Sequence, residues 1–237
     1  MVEFPTLAEL LNLLTFLGEE PAAVGVLATA LLLTVLRDWR WSLLALTIQY
    51  LLSGWLLTHV FEPDIAPAIA AIKIMAWAVA CLVLYLTARQ VHWGSSRTLA
   101  QTGAEQPATA PKLTGRLLPT SPLFRLLIGL MAAIAVLYTV NRGGLALPEL
   151  PAHINSAAIS LMAMGLLGLG LTDEPLTAGM SLLTLLTGFE LFYHSLEQAI
   201  TIIGFLIGIE LLITLVTAYL TVARHLTPQE ADRRRPT

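Results

Sequence analysis

Seven runs of apolar residues, most of them separated by only a few polar residues, are the feature that most restricts the fold of this chain. A helix needs about 20 mostly apolar residues to cross the hydrocarbon core of a bilayer. The runs lie at 22–37, 41–61, 65–88, 123–141, 153–172, 175–197 and 199–223. Charged residues make up only 12% of the chain, against about 25% in soluble domains. The sequence therefore predicts an all-α, polytopic membrane protein with about seven transmembrane helices.

Segments at the start, in the middle and at the end of the chain are predicted to lie outside the spans. Residues 3–18 are too few to cross a bilayer and repeat leucine at helical spacing, which predicts an amphipathic segment at the membrane interface. The alternative is that they form the first part of one tilted span. Residues 89–122 are rich in Ala, Thr, Pro, Ser and Gly, which predicts a flexible cytoplasmic loop. The predicted organisation is an interfacial segment at 1–21, a three-helix front bundle at 22–88, the loop at 89–122, a four-helix back bundle at 123–225 and a basic cytoplasmic tail at 226–237.

The lysines and arginines predict the orientation, because the cytoplasmic loops of membrane proteins carry an excess of both. Of the 13 in the chain, Lys73 lies within a span and only Arg142 falls on the outer side of a seven-span arrangement. The others fall on the opposite side: Arg37, Arg40, Arg89, Arg97, Lys112, Arg116, Arg125, Arg224, Arg233, Arg234 and Arg235. We therefore expect a multi-pass protein of the inner (plasma) membrane, with its amino terminus outside and its carboxyl terminus in the cytoplasm.

Three charged residues lie deep within predicted spans: Lys73 in the third, Glu190 in the sixth and Glu210 in the last. A charge at the centre of a bilayer costs about 2.5–3.5 kcal/mol on insertion scales, so each is expected to have a partner or a function. At a rise of about 1.5 Å per residue, the three lie roughly 12, 10 and 16 Å from the outer ends of their spans. Because these depths are similar, the lysine and the two glutamates are expected to pair and share hydrogen bonds. The alternative for Lys73 is that it snorkels to the surface.

Further polar residues continue from this level along the same helices. His194 and Glu197 lie four and seven residues after Glu190, on one helix face. Together with Lys73 and Glu210, these residues are the candidate proton relay. Supporting polar groups are expected from Gln49, Thr187, Thr214 and Thr217. Two alternatives stay open: hydroxyls in membrane helices often bond to their own i−4 carbonyl, and His194 and Glu197 can be interfacial residues.

No sequence motif predicts redox, metal or nucleotide chemistry. The single cysteine, Cys81, lies within an apolar run, the five histidines are scattered over different span boundaries, and no nucleotide-binding glycine loop is found. The small residues of GLLGLG at 165–170 predict a helix-packing face. We therefore expect no catalytic residue, cofactor, metal site or nucleic-acid partner in this chain.

The segments around the three deep charges resemble a known group. These are the K-type small membrane subunits of respiratory complex I and, more closely, their longer relative, component E of the hydrogenase-4 type membrane hydrogenases. Lys73 in AAIKIMAW resembles the membrane lysine of that group. Glu190 in GFELFYH, with His194 four residues on, and Glu210 in IGIELLIT resemble its carboxylates on two consecutive helices. Residues 40–49 also resemble the hydrogenase component around its second span.

The resemblance implies a subunit without redox chemistry of its own. Such subunits sit in a membrane arm between a redox module and antiporter-like subunits, and contribute carboxylates to the hydrated axis of proton transfer. The partners implied are therefore antiporter-like and other membrane-arm subunits of a hetero-oligomeric complex within the lipid bilayer. Two other functions stay open, a stand-alone proton-coupled secondary transporter and a purely structural scaffold subunit, although no convincing internal repeat favours a transporter.

Overall fold

A computed structural model of the protein describes residues 19–36, 38–61, 65–102, 122–142, 151–197 and 199–233. These ranges hold seven α-helices and no β-strand. The helices are α1 (Glu19–Val35), α2 (Trp39–Thr58), α3 (Ala66–Thr102), α4 (Pro122–Asn141), α5 (Ala152–Leu171), α6 (Pro175–Leu196) and α7 (Ile200–Arg233). The prediction of an all-α, polytopic membrane fold is confirmed.

Six of these helices are long and apolar enough to cross a membrane. The exception is α1, because its apolar part, Pro21–Val35, is shorter than the roughly 20 residues of a usual span. α1 nevertheless belongs to the bundle, since it packs against α2, α4 and α5 and buries Ala22, Val26 and Leu33. The predicted interfacial segment at 3–18 lies outside the residues that the structure describes.

Two helices extend beyond their predicted ends. α3 continues to Thr102, so the prediction of a loop beginning at residue 89 is wrong as far as Thr102, and α7 continues to Arg233, into the predicted tail. In both cases the apolar part ends well before the helix does. A helix that has left the bilayer needs no apolar residues, so hydropathy does not indicate where it stops. The remainder of the predicted loop, residues 103–121, lies outside the described ranges.

The front and back helices pack into one bundle. α1 lies against α4 and α5, α2 against α6, and α3 against α7, so the predicted loop does not separate two independent units. The outer faces of α3, α4 and α7 carry large apolar side chains such as Met75, Met131 and Leu212. Exposed apolar surface of this extent is typical of protein in contact with lipid. Polar and charged side chains are instead found on the inner faces of α2, α3, α6 and α7.

Glycines let the backbones of α5 and α6 approach closely. A Cβ atom added at Gly165 would lie 2.5 Å from the backbone nitrogen of Leu185, and one added at Gly188 would lie 2.8 Å from the carbonyl oxygen of Ala158. Small residues permit this kind of contact between membrane helices. The prediction that GLLGLG at 165–170 is a packing face is confirmed at Gly165. The close packing of α5 on α6 in turn holds α6 in place beside the charged residues of its neighbours.

Gly165→Ala is expected to destabilise the protein by about 1–3 kcal/mol, because the added methyl group meets backbone atoms that cannot turn aside as a side chain would. Gly170→Ala is the matched control, since it is a glycine of the same helix with nothing within 4 Å of an added Cβ. The control is expected to leave stability unchanged or to raise it by up to about 1 kcal/mol. Denaturant unfolding of both variants in the same detergent measures the difference, and equal stabilities would contradict the packing described here.

Candidate functional site

A buried ion pair joins α3 to α6. The Nζ atom of Lys73 lies 2.6 Å from Oε1 of Glu190 and donates a hydrogen bond to it. The side chains are 0% and 3% exposed, so neither charge reaches the surface of the bundle. The pairing expected from the similar depths of the two residues is present. Snorkelling of Lys73 to the membrane surface, the alternative, is wrong because its ammonium group points into the bundle interior.

The face of α3 that carries Lys73 explains this placement. Residues on the outer side of the helix, such as Ile72 and Met75, are exposed, whereas Ile69 and Trp77, four residues before and after Lys73, are buried with it. Residues four apart lie on one face of a helix, so the lysine and Trp77 enter the interior together. The Nζ atom lies 5.9 Å from the centroid of the Trp77 ring, within the range of a cation–π contact.

Glu210 of α7 is the second buried carboxylate of the cluster. It is 1% exposed, and neither of its carboxylate oxygens has a direct hydrogen-bond partner among the described residues. The hydroxyl of Tyr50 and the indole N–H of Trp77 lie close to it, but they too lack direct hydrogen-bond geometry. The two aromatic rings stack with centroids 5.0 Å apart and an interplanar angle of 2°. Trp77 contacts both Lys73 and Tyr50, which places Glu210 in the same buried cluster as the ion pair.

His194 and Glu197, predicted to continue the relay, have different environments. His194 is fully buried, its ring packs 5.5 Å from that of Phe61, and neither ring nitrogen has a hydrogen-bond partner among the described residues. His194 thus faces the interior of the bundle, two residues before the end of α6 at Leu196. Glu197 is exposed and accepts a hydrogen bond of 2.9 Å from the hydroxyl of Tyr193. The structure does not bring Glu197 into the cluster, because α6 ends at Leu196 and the chain is extended at Glu197.

The supporting polar residues also divide into two kinds. The amide nitrogen of Gln49 donates a hydrogen bond of 3.2 Å to the hydroxyl of Thr184, which links α2 to α6 at a buried position. The hydroxyls of Thr187 and Thr214 instead donate to the carbonyl oxygens four residues earlier in their own helices. Thr217 is buried and packs against Gly179 of α6. The local-bonding alternative thus holds for Thr187 and Thr214, whereas Gln49 makes a contact between helices.

Sequence reasoning missed Tyr50 and Trp77. Each lies within an apolar run, where an aromatic side chain indicates packing and nothing more specific. Spacing offered a signal for Trp77, because it follows Lys73 by four residues and so shares its helix face. The signal for Tyr50 was weaker: it is next to Gln49 in a part of α2 that also carries Thr47 and Ser53. Their position near Glu210 depends on how three helices pack, which the sequence does not state.

The arrangement is suited to holding and exchanging a proton. Glu190 has a lysine partner, whereas the groups near Glu210 are a phenol hydroxyl and an indole N–H, which are able to donate hydrogen bonds but make no direct one to the carboxylate. No three His, Cys, Asp or Glu side chains within the described ranges come close enough together to hold a metal ion. Fold and site thus define a polytopic helical membrane protein with a buried cluster of one lysine and two glutamates. No family model matches the sequence, and no curated protein and no solved structure matches the chain.

Proposed function

We propose that this chain is a membrane subunit of a complex I-like or membrane-hydrogenase-like assembly, and that Lys73, Glu190 and Glu210 take part in proton translocation there. The observation that carries the proposal is the buried Glu210 carboxylate, without a direct hydrogen-bond partner, beside a 2.6 Å lysine–glutamate pair. Ionisable residues inside membrane proteins are costly and are typical of ion pathways and proton relays. A cluster that served only to neutralise its own charges would need one carboxylate for its one lysine.

The second carboxylate gives the cluster two arrangements of charge. With a proton on Glu210, Lys73 has Glu190 as its sole charged partner, which is the pairing in the structure. When Glu210 loses that proton, the two carboxylates compete for the same ammonium group, and the attraction between Lys73 and Glu190 is weakened. A change of charge on one member therefore alters the field at the other two. This coupling is the property that a proton-transfer step requires of its residues.

Buried water is expected to complete the pathway. Buried polar atoms are nearly always hydrogen-bonded to protein or to ordered water. Near Glu210 these atoms include the hydroxyl of Tyr50 and the indole nitrogen of Trp77, and α2 adds the amide oxygen of Gln49 and the hydroxyl of Ser53. Waters that bridge such groups hold them about as well as direct hydrogen bonds do. We therefore propose that ordered water bridges these polar atoms to the Glu210 carboxylate.

The resemblance around Lys73, Glu190 and Glu210 supports the kind of assembly proposed. In that group the corresponding residues belong to a subunit that works between a redox module and antiporter-like subunits. The proposal assigns this chain the same place, with no electron transfer of its own. Its partners would then be antiporter-like and other membrane-arm subunits.

Purification of the tagged chain from its native membrane in a mild detergent tests the proposed assembly. Antiporter-like membrane subunits and redox-module subunits are expected to copurify in fixed proportion with the chain. A chain that purifies alone, and that takes up protons together with a solute when reconstituted by itself into vesicles, would overturn the subunit assignment in favour of a secondary transporter.

A structural scaffold is the second candidate, because the ion pair ties α3 to α6 whereas α3 packs mainly against α2 and α7. The double variant Lys73→Met/Glu190→Met separates the two functions, since it removes both charges and leaves neither unpaired. Loss of proton translocation with normal assembly favours the relay. Loss of the assembled complex favours the scaffold.

A further inference from the structure

A cavity of about 510 Å³ lies between the start of α2 and the last turns of the α3 span, away from the buried charged cluster. The described residues that line it are Trp39, Arg40, Leu43, Tyr85 and Arg89. Both arginines are exposed, and among these lining residues no side chain is acidic. The cavity therefore combines two positive charges with two aromatic rings and one aliphatic side chain.

The cavity sits where both helices leave the bilayer. α2 begins at Trp39, and the apolar part of α3 ends at Val91, two residues after Arg89. The distribution of lysine and arginine predicts that this boundary is cytoplasmic. Tryptophan and tyrosine prefer the level of the lipid headgroups because their rings are apolar and carry one polar group. Trp39 and Tyr85 meet here, with ring centroids 6.0 Å apart, and form one wall of the cavity.

The two arginines provide donors suited to a phosphate group. A guanidinium group is planar and binds phosphate oxygens with two parallel hydrogen bonds. The guanidinium of Arg40 lies 5.3 Å from the centroid of the Trp39 ring, which limits where it can point. Asp38, which directly precedes Trp39, is exposed at the start of α2, so one carboxylate stands against the two arginine charges and the balance at this boundary stays positive.

An apolar surface continues from the cavity towards the middle of the bilayer. Leu82 and Leu86 of α3 are both exposed and lie seven and three residues before Arg89, on the same side of the helix. An acyl chain can lie along these leucines while the headgroup stays at the level of the arginines. Free phosphate would use the arginines but not this surface.

We infer that this cavity binds an anionic phospholipid, with the phosphate between Arg40 and Arg89 and an acyl chain against Leu82 and Leu86. Basic pockets between membrane helices on the cytoplasmic side are typical sites for anionic headgroups. The inference depends on the cavity and its charges and not on proton transfer, so it stands or fails independently of the proposed function.

Native mass spectrometry of the purified full chain, titrated with phosphatidylglycerol, cardiolipin or phosphatidylcholine, tests the site. The double variant Arg40→Gln/Arg89→Gln is expected to bind the two anionic lipids at least about tenfold more weakly than the wild type. Arg142→Gln is the matched control, because Arg142 is an exposed arginine at the opposite boundary, with its guanidinium 4.5 Å from the ring centroid of Tyr138. The control is expected to bind like the wild type.

Three results would overturn the inference. They are equal binding of anionic lipid by the wild type and the double variant, equal binding of phosphatidylcholine and phosphatidylglycerol by the wild type, and release of the lipid by millimolar inorganic phosphate. The last result would assign the cavity to free phosphate. If the double variant fails to fold, Arg89→Lys replaces it as the test, because it keeps the positive charge but loses the planar guanidinium group that makes two parallel hydrogen bonds. This variant is then expected to bind anionic lipid less tightly than the wild type, and unchanged affinity would contradict the site.

Discussion

Glu210→Gln is expected to lower proton translocation by the proposed host complex at least about tenfold, because an amide cannot carry the proton that a positioned carboxyl group gives and takes. The substitution keeps the size and polarity of a side chain that is 1% exposed. Assembly should therefore be unaffected. Proton translocation is measured in membrane vesicles prepared from cells that carry the variant in place of the wild-type chain, and the amount of complex is measured in the same vesicles.

Glu197→Gln is the matched control for this experiment, since it is the same chemical change at an exposed position outside the charged cluster. It is expected to leave both proton translocation and assembly at wild-type levels. Normal translocation in the Glu210→Gln vesicles would remove Glu210 from the pathway. Equal loss in both variants would show that the effect does not arise from the buried site.

Lys73→Met is expected to destabilise the protein by about 3–5 kcal/mol, the usual result of leaving one member of a buried ion pair without its partner. Methionine has nearly the length of the lysine stem, so the packing against Trp77 is kept while the charge is lost. What remains is the Glu190 carboxylate, buried and deprived of its 2.6 Å contact. Thermal unfolding of the purified chain in detergent, followed by circular dichroism, measures the change.

The double variant Lys73→Met/Glu190→Met is expected to recover most of that stability, because apolar replacement of both members of a buried pair is often close to neutral. Recovery in the double variant separates a lost charge partner from a packing defect. If Lys73→Met unfolds at the wild-type temperature, the two side chains do not depend on one another, and the ion pair is not a feature of the protein in solution.

The positions of the helices could be predicted from the sequence because lipid restricts composition so strongly. The runs of apolar residues predicted where most of the helices begin and end to within a few residues. Where a helix leaves the bilayer that restriction ends, and for this reason the polar extensions to Thr102 and Arg233 were not predicted. The first run was predicted as an ordinary span, although in the structure its apolar part is short and its role is to pack against α2, α4 and α5.

The charged members of the site could be predicted for the same reason. A lysine and two glutamates deep in apolar runs are costly enough to stand out, and similar depth suggested that they meet. His194 and Glu197 show the limit of helical spacing, because both follow Glu190 on one face but α6 ends between them. One is therefore buried in the bundle and the other is exposed at its surface.

The aromatic members of the site could not be predicted in this way. Tyr50 and Trp77 are as well suited to packing as to hydrogen bonding, and only the contact of α3 with α2 and α7 places their polar atoms near Glu210. The same is true of the arginine-lined cavity. Arg40 and Arg89 are distant in sequence and become neighbours through the packing of α2 on α3.

Infrared difference spectra of the proposed host complex, recorded between its resting and reduced states, test most directly whether Glu210 exchanges a proton. A carboxylic acid C=O band is expected in the wild-type complex and in Glu197→Gln, and it should be missing from Glu210→Gln. A band that persists unchanged in Glu210→Gln would contradict proton exchange at this carboxylate.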